Sequence, residues 1–180
     1  MSFFNKYFRS QCVFILIAVS SWAQQAPSSV VHLTSKDEPG KPFTLDIKVL
    51  DIDSKEPVAG VEVFAYHTNS KGDYEPGDNV ARIHGTAVSD ANGNVKFITI
   101  YPRGYNDSPT GEHIHFRIRS TTVADSNTDL IFADYYDKRY NYDFLGTFIC
   151  YLQSLEERNG KLNGSAVIYV RKRDPLNWSG

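Results

Sequence analysis

Short runs of apolar residues at every second position dominate this sequence. Phe43, Leu45, Ile47 and Val49 alternate with polar neighbours. Successive side chains of a strand point to opposite faces, so this alternation predicts strands that are buried on one face. Similar runs lie near residues 30–33, 61–65, 85–89, 95–99, 114–118, 130–136 and 166–170. Turn signals separate them, among them Asn159-Gly160. The sequence therefore predicts an all-β fold, an antiparallel β-sandwich of about eight short strands in a single domain.

Composition narrows the classes of protein that this chain can belong to. It has 180 residues, of which 41% are hydrophobic and 22% charged, which excludes a disordered tail or a fibrous repeat. Its formal net charge of -2 gives no basic excess, so no nucleic-acid partner is expected. One short helix is predicted, within Phe148–Glu157.

The first 23 residues have the features of a secretory signal peptide. Lys6 and Arg9 precede an apolar run from Cys12 to Val19, and small residues occupy Ser21 and Ala23. We expect cleavage after Ala23, with Ala26 as the alternative site and a mature domain of residues 24–180. The apolar run is about half of the ~20 residues that a membrane span needs, so no anchor is expected after cleavage. The mature protein is predicted to be secreted or periplasmic.

Export also decides the state of the cysteines. Cys12 leaves with the signal peptide, so Cys150 has no partner for an internal disulfide. Its apolar neighbours predict a buried, inert thiol. His32 and His67 are interpreted as surface residues.

One predicted strand carries two histidines. In residues 112–119, Ile114 and Phe116 share the apolar face, and His113 and His115 share the opposite face with Arg117 and Arg119. The two histidine α-carbons lie about 7 Å apart on such a strand, close enough for both rings to reach one metal ion. A His-x-His pair on an exposed sheet face is also compatible with simple solvation. The two arginines are interpreted as solvated residues, with a substrate-carboxylate role as the alternative.

Further motifs accompany this strand in a characteristic order. They are a turn ending in Tyr74, the His84-Gly85 strand, the run Thr99-Ile-Tyr-Pro-Arg-Gly-Tyr105 and the run His113-Ile-His-Phe116. This order resembles the intradiol ring-cleavage dioxygenases, the family of catechol and protocatechuate dioxygenases. The resemblance covers roughly Glu56 to Tyr136 by motif and extends more loosely to Val170.

The resemblance implies a site and a reaction. A non-haem Fe(III) ion would be held by Tyr74, Tyr105, His113 and His115, with Tyr105 displaced by substrate and able to accept a proton. Phenolate is a hard, anionic donor that suits a trivalent ion. The implied substrates are a small aromatic diol and O2, and the product is a muconate-type diacid. The diol's identity and the oligomeric state stay open.

The sequence departs from the family pattern at three positions. The usual arginine three residues before the first histidine is Thr110 here, the usual glutamine of a later strand is Ala133, and an arginine before the glycine of the middle strand is His84. Arg82 and Arg103 are candidate replacements. Loss of such a charge partner commonly costs 10²–10³-fold in rate.

Two other functions remain open at this point. The first is a catalytically weak relative on the same fold that binds aromatic or polysaccharide material. The second is an unrelated secreted sandwich, transthyretin-like or adhesion-type, whose His-x-His binds zinc, copper or nothing. The tyrosine-rich segment 135–142 is interpreted as a loop, or as the wall of a pocket for an aromatic ring.

Overall fold

Nine β-strands form the described part of the molecule. The computed structural model describes residues 27–74, 81–106, 111–132 and 149–173. The strands are β1 (Val30–His32), β2 (Pro42–Asp51), β3 (Glu62–His67), β4 (Ile83–Val88), β5 (Asn94–Ile100), β6 (His113–Arg119), β7 (Ser126–Ile131), β8 (Ile149–Arg158) and β9 (Lys161–Val170). No helix occurs within these ranges. The all-β prediction is confirmed.

The strands form two sheets. One sheet has five strands in the order β1-β5-β2-β9-β8, and the other has four in the order β4-β3-β6-β7. All neighbouring pairs are antiparallel except β1–β5 and β2–β9. The expectation of a wholly antiparallel arrangement is therefore wrong at those two pairs, because the chain leaves the sheet and returns before each pair forms.

The predicted apolar alternation produces a core shared by both sheets. Phe97 of β5 and Phe116 of β6 are fully buried, and their ring centroids lie 6.2 Å apart across the space between the sheets. Ile114 and Ile118 are buried on the same face of β6. Burial of each such side chain contributes about 1.5–3 kcal/mol. This core fixes β6, so its opposite face has a defined orientation.

The predicted helix is wrong. Residues 149–158 form β8, which pairs with β9 through the turn Asn159-Gly160. Both turn residues have positive φ, 52° and 74°, as a two-residue hairpin requires. A register shift between Leu152 and Ser154 places an extra residue in β8. This irregularity breaks the period of two and removes the sequence signal of a strand.

Cys150 and His67 are both buried. The structure confirms the predicted burial of Cys150. This burial raises the pKa of the thiol and so keeps it unreactive. The surface prediction for His67 is wrong, because it continues the inward set of Val63 and Ala65 on β3. Its Nε2 lies 2.8 Å from Thr99 Oγ1, and burial lowers its pKa to about 4. His32 is exposed, as predicted.

Several predictions concern parts of the chain outside the described residues. These are the signal peptide, the segment 135–142, Thr110 and Ala133. Within the described ranges, no helix has the length and apolar character that crossing a membrane requires.

Candidate metal centre

Strand β6 places the two histidines on the outer face of the four-stranded sheet. It is a central strand, flanked by β3 and β7. Because Ile114 and Phe116 face the core, His113 and His115 face outward. His113 is nevertheless only 3% exposed. The Tyr105 ring covers it, with an edge contact of 4.8 Å between ring centroids.

Two loops bring the tyrosines to this face. Tyr74 follows β3 and Tyr105 follows β5. The loops touch at Gly72, which has a φ of +88°, and a Cβ there would lie 2.6 Å from the Gly104 carbonyl oxygen. Only glycine fits this approach without strain. The Asn106 amide also donates to the Lys71 carbonyl at 2.9 Å. The close approach of the two loops thus explains why a glycine occupies position 72 in the turn before Tyr74.

The side-chain donors of the four predicted residues meet at one point. Tyr74 Oη lies 2.7 Å from Tyr105 Oη, and Tyr105 Oη lies 2.9 Å from His115 Nε2. His115 Nε2 lies 3.1 Å from His113 Nε2. The structure therefore brings together all four residues that the sequence singled out. A fold that separates the tyrosines from the histidines by ~10 Å or more would favour an unrelated sandwich, and these distances speak against it.

The hydrogen bonds of the two imidazoles determine which nitrogens carry protons. His113 Nδ1 lies 2.7 Å from the Gly111 carbonyl oxygen, and His115 Nδ1 lies 2.5 Å from Asp129 Oδ1. Both partners accept hydrogen bonds, so each Nδ1 is the donor. In the neutral rings both Nε2 atoms are then unprotonated. Two lone pairs 3.1 Å apart repel each other, and a cation between them removes that repulsion.

Burial sets the charge states of these groups in the protein alone. Loss of hydration raises the pKa of Tyr74 and of Tyr105, and it lowers the pKa of His113. The phenols therefore stay protonated and the His113 ring stays neutral at pH 7. A bound cation would reverse this for the phenols, because its charge stabilises phenolate. Together with the Nε2 lone pairs of the two imidazoles, the phenolates give a metal ion two oxygen and two nitrogen donors.

Two further residues belong to this centre and were missed in the sequence. Asp129 of β7 lies directly opposite His115 in the strand register and contacts its Nδ1. Tyr66 of β3 stacks on the His115 ring, with centroids 4.6 Å apart and an angle of 21° between planes. Both contacts fix the ring's orientation. The only sequence signal for them would have been the pairing register of β6 with its neighbours.

The arginine candidates lie elsewhere. The Arg82 guanidinium donates to both carboxylate oxygens of Glu38 at 2.7 Å. Arg103 is exposed on the Tyr105 loop, where its carbonyl accepts a hydrogen bond from Thr68. His84 is exposed, and its Nδ1 donates to the Ala81 carbonyl at 2.5 Å. None of these three contacts involves the four convergent donors.

A comparison of the sequence with protein-family models identifies its family. A family model described as "Dioxygenase" matches residues 18–145, which is well over half of the chain. The chain belongs to the dioxygenase family. Its matched segment includes all four convergent residues and Asp129. Within the described ranges, no group of three or more His, Cys, Asp or Glu residues could by itself hold a metal ion.

Solved structures show the same fold. The dioxygenase domain of a dioxygenase carbohydrate-binding protein fusion from Streptomyces sp. SirexAA-E is 20% identical, with a TM-score of 0.61, over 81% of this chain and 88% of that one. Catechol 1,2-dioxygenase from Pseudomonas arvilla C-1 is 20% identical, with a TM-score of 0.58, over 85% of this chain and 60% of that one.

An intradiol ring-cleavage dioxygenase from Tetranychus urticae is 18% identical, with a TM-score of 0.56, over 81% of this chain and 88% of that one. A search among curated proteins found no match. The family model shows the dioxygenase family, and these solved structures share the fold of this chain.

Proposed function

We propose that this protein is an exported, non-haem Fe(III) intradiol dioxygenase. It cleaves a catechol-type diol between its hydroxyl-bearing carbons and incorporates both atoms of O2 into a muconate-type diacid. The observation that carries this proposal is the convergence of two phenol oxygens with two imidazole nitrogens. Family membership and the intradiol neighbours support the reaction type.

The donor set fits a ferric ion. Imidazole is a ligand that suits iron, and two phenolates offset most of a trivalent charge. Tyr74, Tyr105, His113 and His115 are the ligands in this proposal. A ferric ion bound there would supply two positions for the diol oxygens and would activate the aromatic ring toward O2.

Tyr105 is the proposed catalytic residue. Its Oη sits between Tyr74 Oη and His115 Nε2, while its loop remains partly open to solvent. As a phenolate it can accept a proton from an incoming diol, and Tyr74 Oη can receive the hydrogen bond of the resulting phenol. Tyr74 is more deeply placed, which suits a ligand that stays in position.

The visible spectrum of the iron-loaded protein tests the proposal directly. Bound Fe(III) with tyrosinate ligands gives a charge-transfer colour, and this colour should weaken in Tyr74→Phe and in Tyr105→Phe. Tyr101→Phe is the matched control, because the Tyr101 ring packs against Phe43 and Phe132 in the core. Oxygen uptake with a catechol should be lost in Tyr105→Phe and retained in the control. Iron-loaded protein without this colour would overturn the proposal.

A catalytically weak relative that binds aromatic or polysaccharide material is the second candidate. Thr110 and Ala133, at the usual arginine and glutamine positions, favour it, and the Arg82 guanidinium donates to Glu38. Steady oxygen uptake that depends on Tyr105 would eliminate this candidate.

Export is proposed from the sequence of residues 1–23. Expression of the full chain in a bacterium, followed by mass spectrometry of the periplasmic and medium fractions, should find a mature protein that begins at Gln24. Full-length protein retained in the cytoplasm would contradict this.

A further inference from the structure

A trough lies on the outer face of the four-stranded sheet, beside the metal centre. It has a volume of about 210 Å³, and five residues line it: Glu62, Phe64, Thr86, Arg117 and Arg119. They come from the three adjacent strands β3, β4 and β6. Two arginines and one glutamate give this trough an excess of positive charge.

The Arg117 guanidinium lies over two neighbouring aromatic rings of β3, whose centroids are 5.8 Å apart. Its central carbon lies 5.7 Å from the centroid of Phe64 and 5.2 Å from that of Tyr66. Both distances lie within the range of cation–π attraction. A guanidinium attracted to ring faces keeps N–H donors available, and these match a carboxylate. Arg117 is therefore oriented in advance for an anion.

The cations of the trough lack acidic partners within the described ranges. Ion pairs of arginine in this part of the chain involve Arg82, Arg158, Arg171 and Arg173. Arg119 lies opposite Glu62 in the strand register, yet among the described residues the two form no ion pair. Arg117 is exposed and likewise forms no ion pair with a carboxylate of the described residues.

Tyr66 connects the trough to the metal centre. Its ring stacks on His115, and the Arg117 guanidinium also lies over that ring. His115 and Arg117 are alternate residues of β6, so their α-carbons lie roughly 7 Å apart. An aromatic ring beside His115 needs an arm of two or three carbons, at roughly 1.5 Å per bond, to bring a carboxylate toward Arg117.

We propose that the trough binds the anionic arm of the substrate, so that this protein prefers catechols that carry a carboxylate on a short side chain. This inference rests on the proposed function, because the diol end is taken to bind at the four convergent donors. Arg117 is the residue that determines specificity, and Phe64 and Tyr66 position it.

A matched pair of ligands tests the trough. The acid is 3-(3,4-dihydroxyphenyl)propanoate and the neutral ligand is its methyl ester, which has the same ring and arm without the charge. Dissociation constants are measured on the iron-loaded protein without O2, and kcat/KM is measured with O2. We expect the wild type to favour the acid by about tenfold in both quantities, as one charge-assisted contact provides. This preference should decrease with added salt.

Variants test whether the preference for the acid depends on Arg117 in the trough or on surface charge in general. Arg117→Gln should bring the ratio of acid to ester close to one, and Arg117→Lys should retain part of the preference because it keeps the charge without the planar edge. Arg158→Gln is the control, because Arg158 pairs with Glu156 at the end of β8 in the other sheet. It should leave the ratio unchanged.

The outcomes distinguish failure of the trough from failure of the proposed function. Equal affinity of the wild type for acid and ester, or an acid preference that survives Arg117→Gln, would overturn the trough even if both diols are cleaved. An acid preference that depends on Arg117, in a protein that cleaves no diol, would support the trough and overturn the proposed function.

Discussion

The outer faces of the two sheets differ although both sheets share one core. On the five-stranded sheet, charged residues meet partners directly across the strands: Lys96 pairs with Asp46 at 3.0 Å, and Lys48 donates to Asn94 at 3.0 Å. On the four-stranded sheet, two imidazole nitrogens face each other at 3.1 Å. An outer face whose charged groups pair with one another is suited to contact with water. An outer face whose polar groups lack complete hydrogen bonding is available for a ligand.

The largest expected effect comes from removing a donor at the centre. His115→Ala deletes one of four proposed ligands and leaves Asp129 without its imidazole partner. We expect loss of bound iron and a fall in oxygenation on the order of 10³-fold, since a bound metal contributes several kcal/mol to such chemistry. Metal analysis and oxygen uptake measure both. Lys96→Ala, on the other outer face, should keep full iron occupancy, and occupancy retained in His115→Ala would refute the ligand assignment.

A core substitution should affect stability without changing the centre. Phe97→Ala removes a fully buried ring that contacts Phe116, and we expect the free energy of unfolding in urea to fall by about 3–5 kcal/mol. Phe64→Ala is the matched control on the outer face, where the ring is only half-buried, and it should cost clearly less. The two variants should bind the same amount of iron per folded molecule. Equal losses in the free energy of unfolding would show that Phe64 on the outer face stabilises the fold as much as a core residue.

The carboxylate behind His115 should tune metal retention. Asp129→Asn keeps the shape of the side chain and removes the charge that orients the imidazole, so iron affinity measured by chelator competition should fall about 10–100-fold. Asp125→Asn is a suitable control, because Asp125 pairs with Arg173 away from the centre. Unchanged affinity in Asp129→Asn would mean that Tyr66 alone orients the ring.

An acidic residue at the end of β2 should make the free energy of unfolding depend on pH. Asp51 is buried and accepts hydrogen bonds from the Ser54 backbone and hydroxyl groups at 2.7 and 2.8 Å, which lowers its pKa below the ordinary value of 3.8. The stabilisation is therefore present above that value and is lost as pH falls through the lower, folded-state pKa. At pH 7, Asp51→Asn should cost about 1–2 kcal/mol.

Urea unfolding of the two proteins at several pH values checks this. The difference between wild type and Asp51→Asn should shrink below about pH 3.8. A difference that stays constant through acid would show that the hydrogen bonds, and not the charge, stabilise this turn.

The smallest effect is expected for a surface ion pair. Lys96→Ala breaks the pair with Asp46, in which both side chains are exposed. Such pairs contribute about 0.2–1 kcal/mol and are screened by salt. Thermal unfolding at low and high ionic strength should show a slight loss that disappears in salt. A larger loss would mean that the outer face of the five-stranded sheet is more than a solvated surface.

The sequence predicted most of the strands because the residues of a strand that face the core must be apolar, whereas those on its opposite face need not be. This worked for β2, β5 and β6, where every second residue is buried. It failed for β8, where the irregularity near Leu152 interrupts the alternation. His67 follows the same alternation on β3, but a polar residue type hid its inward position.

The sequence alone determined the chemistry that is available here. Period-two patterning required sheets, and the order of motifs selected Tyr74, Tyr105, His113 and His115. Only the tertiary structure decided that these donors meet, because the loops of Tyr74 and Tyr105 converge through contacts between residues distant in the chain. It also placed Asp129 behind His115 and Arg117 over the neighbouring rings of Phe64 and Tyr66. Strand register fixes such neighbours, and register depends on the packing of the whole core rather than on any local run of residues.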